Sequence, residues 1–281
     1  MNAGLDSNHS SIYYYDGDYP SQKLSVFPEN FDQTTIFQGL RYDVPRYEEI
    51  ASRVGGPILE LCCGTGRVAI PLARQGLEVT GVDISPGLLA RFRDNLLREN
   101  NAAPRNITLI EQDITHLSLE VKRYSLAILA FNSLLCILSF EDQLQVLERV
   151  AEHLTADGVL VLDIVNPLRL KIDGDPIPKP FFTRINPNNG NTYTRFAMMD
   201  AFDESQRQRL HGWYDEIQKD GTLTRKHYSL YWRPIFRFEI ELMLRCAGFR
   251  IETLEGGHLK EPFTAQSPRM FIQARKGKRS G

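Results

Sequence analysis

Glycines and carboxylates are spaced in the first half of the chain as a nucleoside site requires. Residues 58–67, with the sequence ILELCCGTGR, run from four mostly apolar residues into a Gly-Thr-Gly turn. Gly64 and Gly66 let the backbone approach a ligand closely and adopt conformations that other residues avoid. Asp83 follows 17 residues after Gly66, and a carboxylate there can accept hydrogen bonds from both hydroxyls of a ribose. This spacing predicts a site for an adenosine-bearing ligand, either NAD or S-adenosylmethionine (SAM).

Strands and helices alternate between residues 58 and 165 and are expected to position this site. Ser85 followed by Pro86 predicts the start of one helix, because serine caps a helix and proline suits its first position. The remaining pattern predicts strands at 58–61, 77–82, 107–110, 126–131 and 159–165, and helices at 67–75 and from about 144 to 157. Short apolar strands that alternate with helices predict a parallel sheet covered on both faces.

The chain changes character after residue 167. Residues 168–190 are rich in proline, glycine and asparagine, and alternating segments follow at 191–199, 209–217 and 223–232. Alternation of this kind predicts an antiparallel ribbon inserted after the fifth strand. A helix after Pro234 and a pair of strands, at 249–254 and 269–274, complete the pattern. Because this last pair is sequential and close in the chain, it is most simply antiparallel.

Composition argues against several classes of partner. The net charge is −2, no apolar run approaches the ~20 residues of a membrane span, and no basic patch is interleaved with aromatic residues. We therefore expect neither nucleic acid nor membrane as a partner. The four cysteines lack zinc-binding spacings and no group of carboxylates suggests a divalent ion, so no metal is predicted. Few, unpaired cysteines also predict reduced thiols and a cytoplasmic protein.

Two features separate the candidate ligands. A dinucleotide fingerprint needs glycines at G-x-G-x-x-G, whereas this chain has Cys62, Gly64 and Arg67 at those positions. The first strand ends near Glu60, whose carboxylate suits an ammonium-bearing ligand better than a pyrophosphate. SAM is therefore favoured over NAD. An NAD-dependent oxidoreductase and a non-catalytic SAM-binding module remain the alternatives.

The series ILELCCGTGR, VTGVDIS, LIEQDIT, LAILAFNSLLCI and LTADGVLVLDI resembles the motifs of class I SAM-dependent methyltransferases, in the family's order. The resemblance covers residues 43–166, and the last two strands are similar to the family's closing hairpin. It implies an α/β fold with a Rossmann-like, seven-stranded, mostly parallel sheet whose last strand is antiparallel. The core would comprise residues 43–167 and 234–276, an antiparallel β lid residues 168–233, and an N-terminal lid or flexible segment residues 1–42.

The resemblance also implies roles for individual residues. The turn, with Glu60, Cys62, Gly64 and Gly66, would hold the methionine part of SAM. Asp83 would bind the ribose hydroxyls. The set expected around the adenine is Ile84, Gln112, Asp113 and Ile114. Phe131, Asn132 and Ser133 would line the pocket near the methyl group. The family more often has glycine where this chain has Cys62, and we expect a small residue with an ordinary negative φ to be sufficient there.

The acceptor is expected to be a small molecule, methylated on nitrogen or oxygen by in-line transfer. The segment after strand four lacks the Asn/Asp-Pro-Pro-aromatic motif of DNA and amide methyltransferases. The inserted ribbon resembles the lid of glycine and amino-sugar N-methyltransferases. The tyrosines of residues 11–20, Tyr14 and Tyr15 among them, could close over SAM from the other side. Candidate catalytic residues are His211, His227 and Asn132, and His116 is a further candidate base. A homodimer is compatible with this interpretation.

Overall fold

A seven-stranded sheet forms the centre of the protein. The computed structural model describes residues 9–20, 40–99, 103–120 and 123–277. Its elements up to the fifth strand are α1 (Ser10–Tyr13), α2 (Tyr15–Asp18), α3 (Leu40–Val54), β1 (Ile58–Leu61), α4 (Ala69–Arg74), β2 (Val79–Asp83), α5 (Pro86–Leu97), β3 (Ile107–Glu111), β4 (Tyr124–Leu129), α6 (Phe140–His153) and β5 (Leu154–Val165). The later elements are β6 (Asp175–Ile185), β7 (Thr192–Met199), β8 (Gln208–Ile217), β9 (Leu223–Trp232), α7 (Arg237–Cys246), β10 (Phe249–Glu255) and β11 (Arg269–Lys276).

The strand order of the large sheet is β10-β11-β5-β4-β1-β2-β3. Strands β1 to β5 run parallel, whereas β11 is antiparallel to both of its neighbours. The order reverses between β1 and β4, so the carboxyl ends of these strands open a crevice in which ligands bind. The predicted fold class is confirmed. The predicted N-cap at Ser85 is also present, because its side chain accepts a hydrogen bond from the Leu88 N–H.

Apolar clusters on the two faces of the sheet hold the helices in place. Residues of α3, α4 and α5 pack on one face, and residues of α6 and α7 pack on the other. The cluster on the α6 and α7 face continues into the four-stranded sheet. There it includes Tyr193, Tyr214, Tyr228 and Trp232. The small sheet therefore shares a hydrophobic core with the large one.

Two boundaries differ from those predicted. The helix expected to end near Gly158 ends at His153, and β5 begins at Leu154, because that residue already pairs with Tyr124 of β4. Strand β6 was not predicted because it contains prolines at 176, 178 and 180. The strand order β6-β7-β8-β9 places β6 at an edge. Proline is tolerated at an edge because one side of the strand needs no ladder hydrogen bonds.

The small sheet has a buried face and an outer face. Burial alternates residue by residue along β8, as expected for a strand covered on one side. Arg195, Tyr214 and Tyr228 are on the buried face, whereas Trp213 and His227 belong to the opposite face. The buried face covers the N-terminal segment, defined here as residues 9–20.

The N-terminal segment is fixed to the small sheet by Asp18. Its carboxylate accepts hydrogen bonds from the Tyr193 hydroxyl at 2.9 Å, the Tyr214 hydroxyl at 2.7 Å and an Arg195 Nη at 2.8 Å. Asp18 is only 1% exposed, so these partners replace the water that its charge has lost. On the other side, Arg91 of α5 donates to the Ile12 carbonyl at 2.7 Å. The segment therefore connects the small sheet to the core.

Replacing Asp18 with asparagine is expected to release the N-terminal segment. The change leaves the buried Arg195 charge uncompensated, at a cost of roughly 3–5 kcal/mol. Hydrogen exchange measured by mass spectrometry should show loss of protection in residues 9–20, with protection in β1 to β5 retained. Asp16→Asn is the matched control, because within the described part of the chain its ion pair is a long, 3.5 Å contact with Arg91. Equal protection of the segment in both variants would contradict the account.

Candidate active site

The Gly-Thr-Gly turn follows β1 directly and lies in the crevice where the strand order reverses. Both glycines have positive φ, +55° at Gly64 and +87° at Gly66. A Cβ at Gly66 would collide with the buried ring of Phe92, and a Cβ at Gly64 would lie 2.7 Å from the Tyr15 hydroxyl. Both positions therefore require glycine for conformation and for space, as the sequence predicted.

Cys62 does not have the negative φ that we expected, since its φ is +56°. The expectation that any small residue is sufficient at position 62 is wrong. The turn needs a left-handed residue at this position, which explains why related sequences favour glycine. Cysteine occupies it at a cost of roughly 1–2 kcal/mol, because its Cβ approaches the following carbonyl.

The Asp83 carboxylate fastens the turn to the end of β2. Oδ2 accepts the Gly64 N–H at 2.8 Å, and Oδ1 accepts the Ser85 N–H at 2.9 Å. Burial raises the pKa of Asp83, and these backbone donors partly offset that effect by favouring the ionised form. The Ile84 N–H is a third backbone donor, so about one of the four acceptor sites of this carboxylate remains for a donor from a ligand. Asp83 thus faces the turn, where the sequence predicted it.

Glu60 lies in β1, just before the turn, and is only 3% exposed. Its Oε2 atom is buried and has no hydrogen-bond partner within the described chain. Burial raises the pKa of Glu60 to about 8, against the opposing effects of the Arg67 charge and the Ala69 N–H. A buried acceptor without a partner is rare and marks a place where a donor is missing.

The residues expected around the adenine adjoin the same crevice. Ile84 is 41% exposed, which is unusual for isoleucine beside a buried carboxylate. Asp113 caps a short 3-10 turn by accepting the Thr115 N–H at 2.9 Å, and Ile114 is buried in that turn. Gln112 pairs with the backbone of Ser118. Burial raises the pKa of the Cys62 thiol, and the nearby charges of Asp83 and Asp113 raise it further. Asp83 and Asp113 therefore follow neighbouring strands, and the charges of both act on the Cys62 thiol in the turn.

Phe131 and Asn132 form a strained turn after β4. Their φ angles are +41° and +66°, and neither residue is glycine. Asn132 Oδ1 accepts the Val165 N–H at 2.7 Å and an Arg269 Nη at 3.1 Å. This side chain fastens β4 to β5, so the structure gives Asn132 a positioning role. Strain that persists beside a ligand crevice is typical of functional sites.

A buried ionic network supports that strained turn. The Arg269 guanidinium lies 4.7 Å from the Phe131 ring centroid and forms an ion pair with Asp163. Asp163 also accepts hydrogen bonds from the Tyr47 hydroxyl and His258 Nε2, each at 3.0 Å. These charges keep the pKa of Asp163 below its usual value despite burial. All polar partners of Asp163 are thus supplied by the protein.

Tyr15 and Tyr19, rather than Tyr14, lie at the turn. Tyr14 is stacked on Tyr214 at 4.1 Å, and its hydroxyl donates to Glu216 at 2.7 Å, so its ring belongs to the small sheet. Tyr15 covers Gly64, and the Tyr19 ring lies 5.5 Å from that of Phe131. Tyr19 belongs to the tyrosine-rich stretch 11–20 but was not singled out by the sequence analysis. The signal was its four-residue spacing from Tyr15, which places both on one side of a helical turn.

The structure does not bring the candidate histidines to the turn. His227 is exposed on the outer face of the small sheet, and His211 on the same face pairs with Asp200 at 3.0 Å. His116 is exposed and bonds to Thr115. The remaining three of the six histidines have partners elsewhere, with His9 at the Ser229 carbonyl, His153 at the Leu119 N–H and His258 at Asp163.

The cysteine thiols near the turn are protonated groups. Cys136 is exposed at the surface, and desolvation by the surrounding protein, followed by the Asp83 charge, raises the pKa of its thiol. Burial likewise raises the pKa values of Cys62 and Cys63. Because the thiolate is the reactive form, these groups act as small apolar contacts.

Comparisons with known proteins agree with this geometry. Residues 58–158 match a family described as "Methyltransferase domain". The chain is 26% identical over 218 residues to the cypemycin N-terminal methyltransferase of a Streptomyces species, covering 78% of this chain and 82% of that protein. The fold is similar to the CcbJ methyltransferase from Streptomyces caelestis, with a TM-score of 0.74, 24% identity and coverage of 84% and 90%. It is also similar to SAM-bound CalS10, an amino pentose methyltransferase from Micromonospora echinaspora, with a TM-score of 0.64, 18% identity and coverage of 83% and 90%.

Residues 58–158 are a methyltransferase domain, and the fold of the chain is that of the class I SAM-dependent methyltransferases. The family match, the antiparallel β11 and the glycine turn with its strand-end carboxylate all agree with that class. The alternative of an NAD-dependent oxidoreductase is therefore not retained. Among the described residues, no helix is both long enough and apolar enough to cross a bilayer.

Substitutions at Cys62 test the strain in the turn. Cys62→Gly should be more stable than Cys62→Ala by about 1 kcal/mol, because only glycine adopts positive φ without steric cost. The free energies of unfolding in urea, measured without ligand, provide the comparison. Alanine is the matched control, since it also removes the thiol. An alanine variant as stable as the glycine variant would show that the left-handed conformation is absent.

Proposed function

We propose that this enzyme transfers the methyl group of SAM to an amine nitrogen of a small molecule. The observation that carries the proposal is the unpartnered, buried Glu60 carboxylate at a turn already aligned by Asp83. An adenosine ligand with an ammonium-bearing arm matches both groups. When bound, SAM supplies an electrophilic methyl group on a sulfonium.

The residues at the turn have distinct tasks in this proposal. Asp83 accepts from the ribose on its remaining acceptor site, and the backbone turn at Gly64 and Gly66 borders the amino-acid arm. Ile84 and the 3-10 turn at Asp113 form the adenine wall. Tyr15 takes the place that the sequence analysis gave to Tyr14, because its hydroxyl is the one found over Gly64.

Nitrogen is favoured over oxygen as the acceptor atom because no histidine is available at the turn. Methylation of a hydroxyl requires a base to remove its proton, and histidine is the commonest such base. Of the six histidines, His211 and His227 belong to the outer face of the small sheet, and His258 is fully buried. The phenol pKa values of Tyr15 and Tyr19 are raised by burial, so neither is ionised near neutral pH. An amine that reaches the site unprotonated needs no base and depends on positioning.

The small sheet and the N-terminal segment support a small acceptor. Together they cover the carboxyl ends of β1 and β4, with Tyr19 against Phe131 and Arg195 bonded to Tyr19. We therefore propose that residues 168–233 are the lid and residues 9–20 its counterpart. Such a cover excludes water from the charged reacting atoms but leaves little room for a macromolecule. The fold is similar to that of an amino pentose methyltransferase, which agrees with a small acceptor.

A two-stage experiment tests the proposal. Isothermal titration with SAM, S-adenosylhomocysteine and NAD should show binding of the first two alone. Incubation with labelled SAM and matched panels of small amines and alcohols should then give methylated amines, detected by mass spectrometry. Methyl transfer confined to alcohols would contradict the choice of nitrogen. Binding of SAM without turnover on either panel would favour the non-catalytic alternative.

Asp83→Ala should weaken S-adenosylhomocysteine binding by roughly 1–3 kcal/mol, because ribose donors lose a buried charged acceptor. Titration calorimetry measures the loss, and circular dichroism checks that the variant is folded. Asp94→Ala, an exposed position on α5, is the control. Unchanged affinity in a folded Asp83 variant would show that the ribose binds elsewhere.

A further inference from the structure

Glu60 is an isolated carboxyl group in the interior. It is the third residue of the four-residue strand β1, and its neighbours in that strand are completely buried. Among the residues that the structure describes, the backbone donor found for it is the Ala69 N–H, at the first residue of α4. Its Oε2 atom receives no hydrogen bond from the described chain. One donor is far fewer than an ionised carboxylate normally has when it is buried.

The charged groups around Glu60 do not compensate for this shortage. Arg67 is the nearby cation, but its two Nη atoms are bonded to Asp43 of α3 at 2.8 and 2.7 Å. Asp43 and Asp83 of β2 add negative charge, and both oppose ionisation of Glu60. The thiols of Cys62 and Cys63 are also close, and they are uncharged because burial raises their pKa values. Two acids, Asp43 and Asp83, thus lie near the Glu60 carboxyl group, whereas the one nearby cation, Arg67, is already paired with Asp43.

We propose that Glu60 carries a proton when the site is empty and releases it when the ammonium group of an amino-acid arm binds at the turn. The inference rests on the proposed function, because SAM and S-adenosylhomocysteine both carry such an arm. The O–H bond of Glu60 breaks, its electron pair stays on the carboxylate, and the proton passes to solvent. The carboxylate then balances the ligand's positive charge. Glu60 therefore selects ligands by charge, favouring an ammonium-bearing arm over an uncharged one.

The raised pKa of Glu60, about 8, agrees with this geometry. At pH 7 roughly nine-tenths of the ligand-free protein would carry the proton, since one pH unit below the pKa gives a tenfold excess of the acid. Binding that requires the carboxylate should strengthen by up to about tenfold per pH unit below pH 8 and level off above it.

Calorimetry in several buffers measures the released proton directly. S-adenosylhomocysteine is titrated into the full chain at pH 7 in three buffers with different ionisation enthalpies. We expect release of about 0.9 proton from the wild type, as its pKa implies. Glu60→Gln should bind without this release, because the amide cannot ionise. 5′-Methylthioadenosine, which lacks the amino-acid arm, is the matched control ligand and should release no proton from the wild type.

The outcomes separate the two proposals. Tight binding of S-adenosylhomocysteine with no proton release, or equal release in the Gln variant, would overturn the inference and leave the proposed function intact. Failure of the wild type to bind S-adenosylhomocysteine would overturn both. If the Gln variant does not fold, the comparison of the two ligands on the wild type still decides the question.

Ligand-free stability provides a second test. The folded protein binds a Glu60 proton up to pH about 8, whereas the unfolded chain releases it near 4.5. Stability contributed by this group therefore falls as pH rises from 4.5 to 8 and is constant above that range. The Gln variant lacks this dependence, so its melting temperature relative to wild type should rise between pH 5 and pH 8. A pH-independent difference would contradict the inference.

Discussion

The hydrogen bond from the Gly64 N–H to the Asp83 carboxylate is the contact on which the site depends. It joins the turn after β1 to the end of β2, and it does so where the strand order of the sheet reverses. The turn can follow this path only because residues 62, 64 and 66 all adopt positive φ. The chain therefore accepts a strained cysteine at one of the three positions. Strain at the turn and at Phe131-Asn132 is offset by buried polar contacts on either side.

A second set of buried charges arranges the cover of the site. Asp18 binds the small sheet through two tyrosine hydroxyls and Arg195, and Arg195 in turn bonds to Tyr19 beside the β4 turn. In our proposal, the contacts of Asp18 and Arg195 therefore both hold the cover over the crevice and place aromatic rings beside it. Glu60 is an acid among the described residues with a buried oxygen that accepts no hydrogen bond, and in our proposal the ligand provides its missing partner.

The sequence predicted the core of this architecture because the core follows local rules. Alternating apolar strands and helices, the Ser85 cap and the spacing from Gly66 to Asp83 each have one simple structural solution. Strand β6 escaped prediction because its prolines disfavour a strand except at an edge, and edge position is a tertiary property. The positive φ of Cys62 was also missed, since residue size does not reveal which backbone conformation a turn imposes.

Side-chain direction limited the prediction of the remaining site. A one-residue shift along a strand reverses the face, so the histidines of the ribbon could not be assigned to the inner or outer side without its register. The same applies to Tyr14 and Tyr15, adjacent residues of which one packs in the small sheet and the other covers Gly64. Asp18 gave no signal, because a single acid in a polar segment resembles a solvated one.

A crystal structure of the chain with S-adenosylhomocysteine tests the central claim most directly. Our account predicts the ribose hydroxyls on the Asp83 carboxylate, the amino-acid arm along residues 62–66 and the ligand ammonium on the side of the turn that holds Glu60. A ligand bound with its ribose away from Asp83, or with its arm outside the turn, would contradict it.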